Sequence, residues 1–209
     1  MNTYKNLYEI LLKVLFVYSL TQSMNPVVHH LDSPKASERV IIAGVTQLAN
    51  EAIEEGVSSV DDESITLAVE SRQEGITQVY RLQQFWNGFP VYQHQVVVHK
   101  HETDTKLLGT FVSGINQALK DVDVNACEPK KKLEEIKSKP EFEQAFKFID
   151  EQAALKVYVE EKGKSGKADV YLACHVSFTA ILKGAPPLMP DYLIDCKTGK
   201  ILERNDEQH

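Results

Sequence analysis

Residues 79–99, VYRLQQFWNGFPVYQHQVVVH, set the frame for the rest of the chain. Two runs of strand-type residues, Val79 to Phe85 and Val91 to His99, flank Asn87-Gly88-Phe89-Pro90. Asn-Gly is the strongest short hairpin signal, because both turn positions need a left-handed backbone. Pro90 cannot donate to a ladder, so it belongs at the mouth of the second strand. Strict alternation would put Tyr92, His94, Val96 and Val98 on one face and Val91, Gln93, Gln95, Val97 and His99 on the other. Valines on both faces predict a central strand.

Working outward, Ser33-Pro34 supplies a helix start, Ile41, Val45, Leu48 and Ala52 recur at helical spacing, and Gly56 stops the helix. Residues 25–33 before it read as an exposed lead-in. Ile65, Leu67 and Val69 then alternate with a period of two, Gln73-Glu74-Gly75 turns into the central hairpin, and residues 106–114 return as a further strand. These segments make a first module over residues 33–115. Residues 116–139 read as a solvated linker. Pro140 to Gln152 carries Phe142, Phe146 and Ile149 at helical spacing, which predicts a second amphipathic helix, followed by a meander to residue 203. The last residues, 204–209, are polar and are expected to be mobile. The expected fold class is α+β, two tandem modules of one helix on one antiparallel sheet, with a cystatin-like architecture.

The central stretch resembles the prosegment motif of secreted thermolysin-type and fungalysin-type zinc metallopeptidases. The residues that carry the resemblance are Arg81, Gln83, Gln84, Asn87, Gly88, Pro90, Val91 and Tyr92. Val79 departs from the pattern, which places His there. The closing residues 192–202, YLIDCKTGKIL, resemble the last strands of the small PepSY-like domain that follows in the same prosegments, with Asp195, Thr198 and Gly199 at the matching positions. The resemblance implies a non-catalytic protein that helps a metallopeptidase fold and then inhibits it. It implies no cofactor and no metal site of its own.

The residues themselves agree with a binding role. A zinc peptidase needs H-E-x-x-H, and the only His-Glu pair, His101-Glu102, has Thr at position 105. A net charge of −7 without a basic stripe argues against a nucleic-acid partner. Lys5 ahead of an apolar run, then small or polar residues to Ser23, fits a secretory signal over residues 1–23, with an uncleaved amphipathic helix as the alternative. That run is too short for a stable membrane span. Export makes the location secreted or periplasmic. Cys174 and Cys196 would then be candidates for a disulfide if the loop at Gly184-Ala185-Pro186-Pro187 is a simple reversal, with two buried free thiols as the alternative. Trp86 and Phe89, beside the Asn-Gly turn, are candidate partner contacts, with core packing as the competing fate. So are Arg204, Asn205, Asp206, Glu207, Gln208 and His209, whose end could enter a zinc cleft as a cleaved product does. The expected function is therefore a free-standing propeptide-like partner of a thermolysin-type metallopeptidase. An independent binding module, or a piece of a longer peptidase precursor, remains open.

Overall fold

A computed structural model of the chain describes residues 11, 15–16, 25–32, 38–61, 65–101, 104–163 and 166–207. The first part contains β1 (Val27–His30), α1 (Arg39–Glu55), β2 (Val57–Asp61), β3 (Ile65–Gln73), β4 (Gln78–Trp86), β5 (Phe89–Lys100), β6 (Thr105–Ser113) and α2 (Ile115–Leu119). There follow α3 (Pro129–Lys137), β7 (Ala145–Glu161), β8 (Ala168–Leu182), β9 (Met189–Asp195) and β10 (Ile201–Glu207). The strands join in one ten-stranded sheet in the order β10-β9-β8-β7-β5-β4-β3-β2, with β6 paired to β5 and β1 paired to β6.

This overturns the expectation of two tandem cystatin-like modules, each with its own helix on its own sheet. Two compact units do exist, but they do not follow chain order. One comprises Met1–Lys120 with Val159–Val170, the other Asp121–Tyr158 with Tyr171–His209. Strands β7 and β8 therefore contribute to both. The predicted helix at 140–152 is a 3-10 turn, Pro140–Phe142, leading into the 17-residue β7. Helical spacing of Phe142, Phe146 and Ile149 misled because the strand changes phase. Asp150 has a left-handed backbone (φ 54°), and beyond it Ala153, Leu155, Val157 and Val159 alternate inward with a period of two. The helix of this part, α3, lies instead inside the predicted linker.

In the first unit the expected hairpin forms, with Asn87 (φ 47°) and Gly88 (φ 79°) both left-handed. Helix α1 buries Ile41, Val45, Leu48 and Ala52 against Ile65, Leu67, Tyr80, Leu82, Val96 and Val98 of the sheet. Gly56 ends it in the left-handed conformation, its N–H bonded to the Ala52 carbonyl. The helix start read at Ser33-Pro34 lies outside the described residues, and β2 is a strand the sequence reading missed. Residues 27–30, expected as an exposed lead-in, pair with Thr110–Ser113 of β6 and bury Val28 and His29. Most of the predicted signal segment, with its cleavage point at Ser23, also lies outside the described residues. Phe16, within it, is buried beside Phe111 and over Gly44, where any Cβ would overlap its ring. Among the described residues no helix is long and apolar enough to cross a membrane.

In the second unit, α3 starts with Pro129 in its first turn and turns Leu133 and Ile136 onto Cys174, Val176, Phe178, Tyr192 and Ile194. Lysines and glutamates of α3 and its N-cap form i,i+3 pairs, Lys131–Glu128, Lys132–Glu135 and Lys137–Glu134, and Lys137 also reaches Glu151 of β7. Phe178 receives Phe142 and Phe148 edge-on, at ring separations of 5.0 and 5.4 Å.

Candidate functional site

The glutamine pair is a backbone stitch. Between Gln83↔Gln95 and Phe85↔Pro90 the β4–β5 register slips, so β5 carries extra residues opposite Gln84. Gln93 absorbs the bulge with a left-handed backbone (φ 59°). Carbonyls in such a bulge lose their ladder partners, and Gln83 supplies one: its Nε2 donates to Val91 O at 2.7 Å and to Gln84 O at 2.8 Å. The bulge also breaks the strict alternation expected for this strand, since Val91 before it and Val96 and Val98 after it, one odd and two even positions, are all fully buried. Gln84 is fully buried and clasps the backbone of one residue, Val112. Its Nε2 donates to Val112 O at 2.8 Å, and its Oε1 accepts from Val112 N–H at 2.9 Å.

Trp86, a candidate partner contact from sequence, is buried, and its indole N–H donates to Asn116 Oδ1 at 2.6 Å. Its role is to tie the hairpin to α2. Phe89 is half-buried with its ring 6.4 Å from Trp86. Tyr92 is half-buried and Arg81 exposed on the same hairpin.

Asp195, Thr198 and Gly199 form a second clasp. The Asp195 carboxylate accepts from the N–H groups of Lys197 and Thr198, at 3.1 and 3.2 Å, and from the Thr198 hydroxyl. Gly199, left-handed at φ 71°, returns its N–H to Asp195 O. This turn feeds β10, and here the expected mobile tail is corrected. Glu203–Glu207 pair with Leu193–Met189 of β9. Arg204 stacks over Tyr192 at 5.2 Å and pairs with Glu141, which also accepts the Tyr192 hydroxyl at 2.7 Å. Asn205 bonds Glu203, and Asp206 and Glu207 continue the strand, whereas Gln208 and His209 lie outside the described residues. Sequence reading missed this because a run of polar residues has no apolar alternation, although an outer strand needs none.

The disulfide pairs Cys127 with Cys196, at a Cα–Cα distance of 5.3 Å, and Cys174 is a buried free thiol. The expected Cys174–Cys196 bridge fails on register. Cys174 lies opposite Ile194, while the Cys196 N–H bonds Leu172 O, so the two cysteines are diagonal across the β8–β9 pair.

Several polar groups escaped the sequence reading. His29 bonds Ser113 Oγ through Nε2 and Glu38 Oε1 through Nδ1, both at 2.9 Å. The order Ser-His-Glu is that of a hydrolytic triad, but Ser113 is only 2% exposed, so no substrate reaches it, and the cluster ties β1 and the start of α1 to the end of β6. In the second unit, His175 meets both oxygens of Asp191 at 3.0 and 2.9 Å, and burial holds nearby Lys156 below the usual lysine range against the opposing charge of Asp191. Among the described residues no set of three His, Cys, Asp or Glu is placed to hold a metal.

His94 gives the first unit an acid sensitivity. Burial pushes its imidazole down to about 4, Glu161 opposes the shift, and His30 adds to it. Its Nδ1 lies 2.8 Å from Thr110 Oγ1. A histidine depressed in the folded state binds its proton more readily when unfolded. Stability is therefore complete above about pH 6.5 and falls progressively toward pH 4, by up to about 3 kcal/mol. Urea midpoints at pH 7 and pH 4.5 check this: the wild type should lose stability between them, and His94→Gln should lose distinctly less.

Against known proteins, no family model matches the chain and no curated protein matches it. Among solved structures, an uncharacterized protein from Eubacterium rectale is similar at 12% identity and a TM-score of 0.38, over 77% of this chain. The chain spans about half the length of that protein, 55%.

Proposed function

We propose that this chain is an exported, propeptide-like protein that binds a thermolysin-type zinc metallopeptidase as inhibitor and folding assistant, and that it performs no chemistry of its own. The observation that carries the reading is where the motif residues stand. Gln83 and Gln84 stitch a bulge, Asn87 and Gly88 make the turn, and Asp195, Thr198 and Gly199 clasp the last turn, so each stretch that resembles the prosegments fixes the strands of its own unit. A preformed sheet suits a template for another protein, because little ordering entropy is left to be lost on binding. Among the described residues strand β10 stands at one end of the strand order and pairs with β9 alone, an edge that suits an extended segment of the partner.

Refolding tests the folding-assistant role. A denatured thermolysin-type catalytic domain would be diluted into buffer with and without an equimolar amount of the full chain. A clear gain in recovered peptidase activity supports the reading. Equal recovery, together with no inhibition of the folded enzyme, favours an independent binding module.

A further inference from the structure

We propose that Cys127, Cys174 and Cys196 form an internal thiol–disulfide exchange site with two covalent states, one tying the lead into α3 to the end of β9 and one releasing it. Cys196 is the shared sulfur. It is bonded to Cys127 and lies 3.6 Å from Cys174 Sγ, about van der Waals contact and the starting separation for attack.

In the step, the Cys174 thiolate attacks Cys196 Sγ, the Cys174–Cys196 bond forms, and the Cys127–Cys196 bond breaks. Cys127 leaves as a thiolate and takes up the proton that Cys174 lost. One disulfide and one thiol are present before and after, so no outside oxidant or reductant is required. The groups differ in the way an exchange needs. Cys174 is 1% exposed, between α3 and the sheet, whereas Cys127 is half-buried at the end of the Val124–Ala126 turn. The reaction thus moves the free thiol from the core to a site that solvent reaches. It also removes the covalent anchor two residues before α3, whose Leu133 and Ile136 cover the Cys174 side of the sheet. Because Cys174 and Cys196 are diagonal rather than opposed, the second bridge needs a small shift of the turn after Asp195. That makes Cys127–Cys196 the resting form.

Burial pushes the Cys174 thiol up, with Lys132 opposing and Glu135 reinforcing, so the thiolate is scarce at neutral pH and exchange should quicken as pH rises.

The native full chain would be incubated with iodoacetamide at about pH 7 and about pH 9, under non-reducing conditions, and the labelled and bridged cysteines mapped by mass spectrometry. The expected product is alkylated Cys127 with a Cys174–Cys196 bridge, formed faster at the higher pH and absent from Cys174→Ala. Label on Cys174 with the Cys127–Cys196 bridge intact would overturn the proposal. So would no labelling at the higher pH in a protein whose Cys174 labels once denatured. A second variant guards against a misfolded control: Cys127→Ala, refolded under air, should form Cys174–Cys196, and two free thiols in that folded variant would also overturn it.

Discussion

Replacing Gln84 with Leu should lower stability by about 3–5 kcal/mol, as much as truncating a large apolar side chain of the core. Leucine fills the space of the glutamine stem but supplies neither hydrogen bond. The N–H and C=O of Val112 lie where Gln84 is fully buried, so water does not replace the lost partner. Each orphaned group costs about 1–3 kcal/mol, and both are orphaned together. For a chain of this size the loss corresponds to a drop in melting temperature on the order of 10 °C. Arg81→Ala, an exposed change on the same strand, should stay within about 0.5 kcal/mol. Equal melting temperatures for the two variants would show that the clasp on Val112 does not hold the sheet.

Removing Cys196 should be nearly as costly. Cys127 and Cys196 are 69 residues apart, and closing a loop of that size in the unfolded chain corresponds to about 4 kcal/mol. Cys196→Ala abolishes the observed bridge and the exchanged one alike, so it reports the full loss. Cys174→Ala keeps the Cys127–Cys196 bridge and should cost about 1 kcal/mol, the burial of a small side chain. Denaturant midpoints of the two variants, measured without reductant, separate these outcomes. In reductant the wild type should approach Cys196→Ala.

These two effects also mark how far the sequence could be read. The Asn87-Gly88 turn, the face Ile41-Val45-Leu48-Ala52 of α1, its stop at Gly56 and the strands from Ile65 to Ser113 were legible, because each rests on local chemistry or an unbroken period. Legibility failed wherever a left-handed residue reset the period. Gln93 breaks the alternation of β5, and Asp150 does the same in β7, where Phe142, Phe146 and Ile149 then imitate a helix. It failed again where pairing is long-range. Nothing near Val27–His30 announces its partner Thr110–Ser113, and the diagonal offset of Cys174 and Cys196 follows from a register that no loop count supplies. The motif residues were found, but their roles were not. Trp86, for which the sequence leaves partner contact and core packing both open, is a buried indole anchored to Asn116. Buried polar clusters such as His29 with Glu38 and Ser113 carry no local signal, since their members lie nine and 84 residues apart.

The proposed role as a peptidase partner is tested most directly by titrating an active thermolysin-type zinc peptidase with the intact chain and following cleavage of a small peptide substrate. The account predicts a saturable loss of activity that approaches completion near a one-to-one ratio when the enzyme is well above the dissociation constant. Full activity at a large excess of folded chain, verified intact after the assay, would contradict it.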